Sequence, residues 1–188
     1  DQMWAGDEAT YQRALKLEAN LPQALEAYSG EETIGTYQVS EDGVAVINVH
    51  GTLLNAEIPD NVARAFGVTT YPSLQTAFTN AANDDSVNKV VLDVNSGGGQ
   101  VSGIQATLEA LDSLRTKKSV STYVSDGMYS AAYWIGSNSD SITMSDMGGA
   151  GSIGVITVHT SWVEAAEKEG ISPTVIRAGK FKNLGHQL

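Results

Sequence analysis

The chain has 188 residues, 41% hydrophobic and 18% charged, which suits one globular α/β domain with a sizeable core. Eleven lysines and arginines stand against 22 acidic residues for a formal charge of -11, an argument against a nucleic-acid-binding face. Absence of cysteine excludes disulfides, thiolate metal sites and a cysteine nucleophile. No stretch approaches the roughly 18 apolar residues of a membrane span, and the opening Asp1-Gln2-Met3-Trp4 does not read as a signal peptide. A soluble chain with neither nucleic acid nor membrane as partner is expected.

Residues 8–28 carry Tyr11, Leu15, Leu17, Leu21 and Leu25 at helical spacing, broken by Pro22. They predict two short helices forming an N-terminal helical arm over 1–35, ahead of a main domain over 36–188. Strands follow at 37–39 and 44–49, joined by the turn Glu41-Asp42-Gly43, with His50-Gly51-Thr52-Leu53 as a strand end and loop. A helix over 73–83 places Leu74, Ala77, Phe78 and Ala81 on one face. The β-branched run 89–94 predicts a buried strand. After Ser96-Gly97-Gly98-Gly99 come a helix over 101–114, a strand over 120–124 and a helix of small residues from Ser130. Strands at 141–144, 153–159 and 174–177 and a helix over 161–169 complete the pattern. Strand–helix alternation of this kind implies a mainly parallel sheet covered by helices.

Four segments carry chemistry. Asp93-Val94-Asn95-Ser96-Gly97-Gly98-Gly99 ends a strand in glycines, where backbone N–H groups can approach an anion or a developing oxyanion. A tight strand-to-helix turn explains the same residues. Asp126-Gly127-Met128-Tyr129-Ser130-Ala131-Ala132-Tyr133-Trp134 sets a serine at a helix start, either as a nucleophile or as an ordinary N-cap. The other two segments are Gly148-Gly149-Ala150-Gly151-Ser152-Ile153-Gly154-Val155 and Arg177-Ala178-Gly179-Lys180-Phe181-Lys182-Asn183. No His/Asp/Glu cluster has metal-ligand spacing, and no cofactor motif is present.

Taken in order, Asn-Ser-x-Gly-Gly, Tyr-Ser-Ala-Ala-Tyr, Gly-Ser-Ile-Gly-Val and Ala-Gly-x-x-Lys resemble the signal peptide peptidase A (SppA) family of Ser–Lys peptidases, relatives of ClpP. The likeness runs from about Val44 to the C-terminus and is closest to the phage head-maturation (prohead) protease branch. The resemblance implies a ClpP/crotonase-like α/β fold. It gives Ser130 the part of nucleophile and Lys182 that of general base. Gly98, Gly99 and Ala131 fall at the oxyanion donors, and Ser152 at a serine that orients the lysine amine. It further implies a ring-like homo-oligomer acting on protein or peptide chains, possible phage partners being scaffold and capsid precursors, in the host cytoplasm on a prohead. Relatives often have proline where Gly97 stands, and they continue well past Lys182, so the C-terminal part of the family domain is expected to be missing.

A lysine accepts the serine proton only when neutral. Bringing its pKa from about 10.4 to roughly 7–8 costs about 4 kcal/mol, which an apolar pocket containing Phe181, Val175 and Ile176 can supply. His159 is the competing base, since ClpP uses Ser–His–Asp; Lys180 is a nearer rival two residues from Lys182. Asp93 and Asp126 are the carboxylates available as a third member. A crotonase-type acyl-CoA enzyme, a signal-peptide-degrading peptidase and an inert scaffold component are the other readings of the same fold.

Overall fold

The computed structural model describes residues 4–6, 12, 19, 34–157, 161, 163–171 and 178. Apart from residues 12 and 19, both helical, the helices expected between 8 and 28 lie outside the described residues, as do the strand at 174–177, His159, Lys180 and Lys182. The chain divides into two compact units, residues 2–156 and residues 157–188 together with Asp1.

The larger unit is a mixed α/β domain built on a mostly parallel sheet. Its strands are β1 (Trp4–Gly6), β2 (Gln38–Val39), β3 (Val44–Leu54), β4 (Val68–Thr70), β5 (Lys89–Gln100), β6 (Ser119–Tyr129), β7 (Ser141–Met144) and β8 (Gly149–Gly151). The helices are α1 (Asp60–Ala65), α2 (Tyr71–Asn83), α3 (Ile104–Arg115) and α4 (Ala131–Gly136). The path through the sheet is β2-β3-β5-β6-β7, with β1 on β5, β4 on β3 and β8 on β6. Among the described residues only the β1–β5 and β2–β3 pairs are antiparallel.

Alternation along the central strands decides which face is covered. Ala45, Ile47 and Val49 of β3, Val90, Leu92 and Val94 of β5, and Val120 and Val124 of β6 are buried. They pack with Leu74, Ala77, Phe78 and Ala81 of α2, Ile104, Leu111 and Leu114 of α3, and Ala131, Ala132 and Ile135 of α4. The opposite face is wetter: Val46 and Val91 are half-buried, and Asn48 and Tyr123 are exposed. The run 89–94, expected to be buried, is therefore dry on one face only. Helix α2 starts where Thr70 accepts a hydrogen bond from the Ser73 N–H at 3.3 Å, with a proline in the first turn.

Two tethers, one buried and one at the surface, fix the ends of these strands. The Tyr71 hydroxyl donates to the Gln100 carbonyl at 2.5 Å, and its burial pushes the phenol far above its ordinary pKa. Tyr71→Phe is expected to cost about 1–2 kcal/mol in urea denaturation, the net worth of one such bond. Asp140 joins α3, β6 and β7. It accepts from the Val120 N–H at 2.9 Å and from the Arg115 guanidinium at 2.9 and 3.1 Å. The Val120 N–H first, and Arg115 second, hold its carboxyl below the usual carboxylate range. Its contribution is complete above the unfolded value of about 3.9 and is lost as pH falls through the lowered folded value. On acidification below about pH 4, Asp140→Asn is expected to lose stability less steeply than the parent chain in thermal melts.

In the smaller unit, α5 (Val163–Lys168) ends in a Schellman turn. Ile171 N–H donates to Ala166 O and Gly170 N–H to Glu167 O, with Gly170 at φ 74°. Among the described residues no helix is long and apolar enough to cross a membrane.

Candidate active site

Strand β5 does not stop at Val94, as the hydrophobic pattern predicts, but continues through the glycines to Gln100; α3 begins only at Ile104. A register shift lies between His50 and Thr52 on β3, and another between Val94 and Ser96 on β5. Ser96 pins this irregular stretch. Its hydroxyl donates to the Gly51 carbonyl at 2.6 Å and accepts from the Gly98 N–H at 3.0 Å. Gly98 is thus engaged internally. Gly99 faces Leu53 so closely that a Cβ there would stand 1.9 Å from the Leu53 carbonyl oxygen.

Strand β6 likewise outruns its expected end and carries the chain to Tyr129. Its last residues pair in parallel with β8, Gly127 with Gly149 and Tyr129 with Gly151. The Tyr129 ring fills the space where side chains at 127 and 149 would be; a Cβ on Gly149 would lie 2.1 Å from its hydroxyl. The glycine-rich segment over 149–151 is therefore a strand that buttresses the end of β6.

At that end the backbone turns sharply. Ser130 has φ 54° and ψ −116°, and its N–H donates to the Gly151 carbonyl at 2.8 Å. Its side chain makes no capping hydrogen bond to α4. The N-cap alternative therefore does not account for it, because a cap residue has ordinary extended dihedrals and an oxygen accepting from the first turn. The hydroxyl has one long contact, 3.5 Å to the Gly154 carbonyl, and the residue is 8% exposed. Among the described residues only Ser130 and Ser152 combine a side chain with positive φ. A β-carbon held there is strained, and such strain collects at functional sites. A sharp strand-to-helix turn with a serine at its apex is also how a nucleophile is presented clear of its own backbone.

Ala131 opens α4 directly after Ser130, so its N–H belongs to a first helical turn whose donors lack partners one turn back. Ser152 is exposed, just past β8. The last parallel β5–β6 pair is Ser96 with Met128, and Gly98 and Ser130 each follow it by two residues along their own segments. Beside Ser130 lies a cavity of about 290 Å³ lined by Tyr133, Trp134, Ser137, Ile153, Gly154 and Val155. Sequence reasoning missed this pocket. Its signal was two adjacent bulky aromatics, Tyr133 and Trp134, in a short helix whose other residues are two alanines, Ile135 and Gly136.

The two carboxylates considered as third members stand elsewhere. Asp93 Oδ2 pairs with His50 Nε2 at 3.1 Å, and lies five residues before Gly98 along β5, about 16 Å at the rise of a strand. Asp126 is exposed within β6. Among the described residues no group of three or more His, Asp or Glu side chains is placed to hold a metal ion.

Residues 112–188 match the model of Peptidase family S49. Over that segment the chain is similar to Peptidase family S49. Ser130, Ala131, Ser152 and Lys182 fall within the matched S49 segment, and Gly98 and Gly99 precede it. The chain is 30% identical to the capsid assembly protease C of Escherichia phage lambda over 190 residues, which cover 97% of this chain and 40% of that protein. It is 31% identical to the head-tail preconnector protein GP5 of Enterobacteria phage P21 over 159 residues, 84% of this chain and 31% of that one. The chain thus spans well under half the length of these relatives. The resemblance read from the four motifs agrees with these matches. Among solved structures, an enoyl-CoA hydratase/isomerase family member aligns over 76% of this chain and 55% of its own, at 16% identity and a TM-score of 0.46.

Proposed function

We propose that this chain is the peptidase part of a phage head-maturation protease, with Ser130 as nucleophile and Lys182 as general base. The observation that carries the proposal is the backbone of Ser130, at φ 54° and ψ −116° with no capping role for its hydroxyl. The S49 match and the phage relatives support the reaction class and the setting.

In this mechanism neutral Lys182 takes the Ser130 proton as Oγ adds to a peptide carbonyl. The protonated lysine returns that proton to the leaving amine, giving an acyl-enzyme. Water, deprotonated by the same lysine, then hydrolyses the ester and frees the serine. The Ala131 N–H is one oxyanion donor. Gly98 and Gly99 offer others, and for Gly98 to serve, its N–H has to turn from Ser96 Oγ to the substrate oxygen. Ser152 orients the lysine amine. The cavity beside Ser130 receives an apolar substrate side chain against Tyr133, Trp134 and Val155. Substrates are scaffold and capsid precursors within the host cell, and a ring-like homo-oligomer is the working form.

The base is tested by the pH profile of hydrolysis of a denatured protein. Lys182→Ala is expected to abolish turnover, whereas His159→Ala keeps a substantial part. An alkaline-rising limb that disappears in Lys182→Met supports lysine. A limb near about pH 6.5 that survives Lys182→Met transfers the role to histidine.

A further inference from the structure

The short strand β1 pairs with the glycine-rich end of β5. Past the Ser96–Met128 pair, β6 no longer lies against β5. From there β5 keeps β3 on one flank, with Thr52 opposite Gly98 and Leu53 opposite Gly99. The flank that β6 has left is taken by β1, antiparallel, with Trp4 opposite Gln100, Ala5 opposite Gly99 and Gly6 opposite Gly98. β1 thus occupies the flank of β5 left free by β6, the strand that leads into the strained Ser130. It does so over a stretch of only 3 residues, whereas β3 pairs with β5 along most of its length.

An exposed strand edge is completed most readily by another extended backbone, and main-chain hydrogen bonds make that capture indifferent to sequence. Glycines at 97, 98 and 99 suit such an edge, since they leave an incoming backbone free to approach. We propose that Trp4–Gly6 is a resident strand on a peptide-accepting edge, Gly98–Gln100, and that an extended peptide binds there by displacing it. The edge is an inference from β-pairing alone; that the displacing peptide is a substrate rests on the peptidase reading. The consequence is self-restraint. The accepting edge is open only in the fraction of molecules whose first strand has left, and apparent peptide affinity falls by that fraction.

The test uses the full chain with Ala5→Pro, which removes a backbone donor and sterically opposes pairing. The probe is a fluorescein-labelled synthetic peptide with the sequence of residues 1–9. Hydrogen exchange over Gly98–Gln100 is expected to quicken about tenfold in Ala5→Pro, and the labelled peptide to bind that variant about tenfold more tightly than the parent, as a closed fraction near nine-tenths requires. Saturating peptide should restore the slow exchange. Equal exchange in the two chains, or equal peptide affinity, overturns the proposal. In the parent chain, cross-strand nuclear Overhauser contacts between residue 5 and residue 99 are expected. Their absence also overturns the proposal and needs no variant to fold. None of these readouts requires turnover, so a chain that passes them yet cleaves nothing upholds the edge and sinks the peptidase reading. In an active chain Ala5→Pro should lower KM for a denatured protein and leave kcat unchanged; a change confined to kcat counts against displacement.

Discussion

Ser130→Ala is expected to reduce hydrolysis of a denatured protein by on the order of 10⁴-fold or more, to background, while its thermal melt stays within a few degrees of the parent's. The two halves of this result come from different atoms. Loss of Oγ removes the only group at the turn able to form an acyl-enzyme. The fold notices little, because that oxygen makes a single long contact of 3.5 Å to Gly154 O and caps nothing. The turn itself is held by the backbone bond from Ser130 N–H to Gly151 O, which alanine keeps. A residual rate above about a tenth of the parent's would remove Ser130 from the mechanism, since deletion of a true nucleophile leaves only binding and oxyanion effects. An unfolded variant is recognised by its melt and would contradict the second half.

Gly99→Ala is expected to be among the most damaging single substitutions in the chain, costing roughly 3 kcal/mol or more in urea denaturation. Dihedral preference is not the reason. The added carbon would lie 1.9 Å from the Leu53 carbonyl oxygen and 2.7 Å from the Leu53 nitrogen, both backbone atoms in a paired strand. Neither strand can yield without parting β3 from β5 where Ser96, Gly51 and Gly98 are tied together. Since this stretch also carries the proposed oxyanion groups, what protein remains folded should show a lower kcat. A Gly99→Ala chain with parent-like stability would mean that β3 and β5 do not approach so closely in solution.

The order of elements was legible because burial patterns report periodicity directly. Leu74, Ala77, Phe78 and Ala81 formed the buried face of α2, and Val120 and Val124 fell on the covered face of β6. The ends of strands were less legible. Glycine-rich runs read as turns, yet 97–99 and 149–151 are strand, because glycine here answers a demand for close packing: Leu53 O against Gly99, the Tyr129 hydroxyl against Gly149. Nothing in local propensity marks a glycine chosen for a distant neighbour. Helix α1 was missed for a related reason. Its six residues bury Val62 and Ala63 in a small separate cluster with Leu54, Ile58 and Val68, too short a run for periodicity to register. At the site, Ser130 stood out only through its motif and the order of the other three. Read alone, a serine at a helix start favours an N-cap, a role that its dihedrals and missing capping bond do not fit.

Holding a β-carbon at φ 54° and ψ −116° weakens the folded state relative to a residue without one. Under the proposed mechanism, heat tolerance and turnover are therefore opposed at a single position. A selection that rewarded survival on warming and ignored cleavage would find an easy gain in Ser130→Gly, where the backbone relaxes and the chemistry disappears. Stabilising programmes on this scaffold have to score both properties at once.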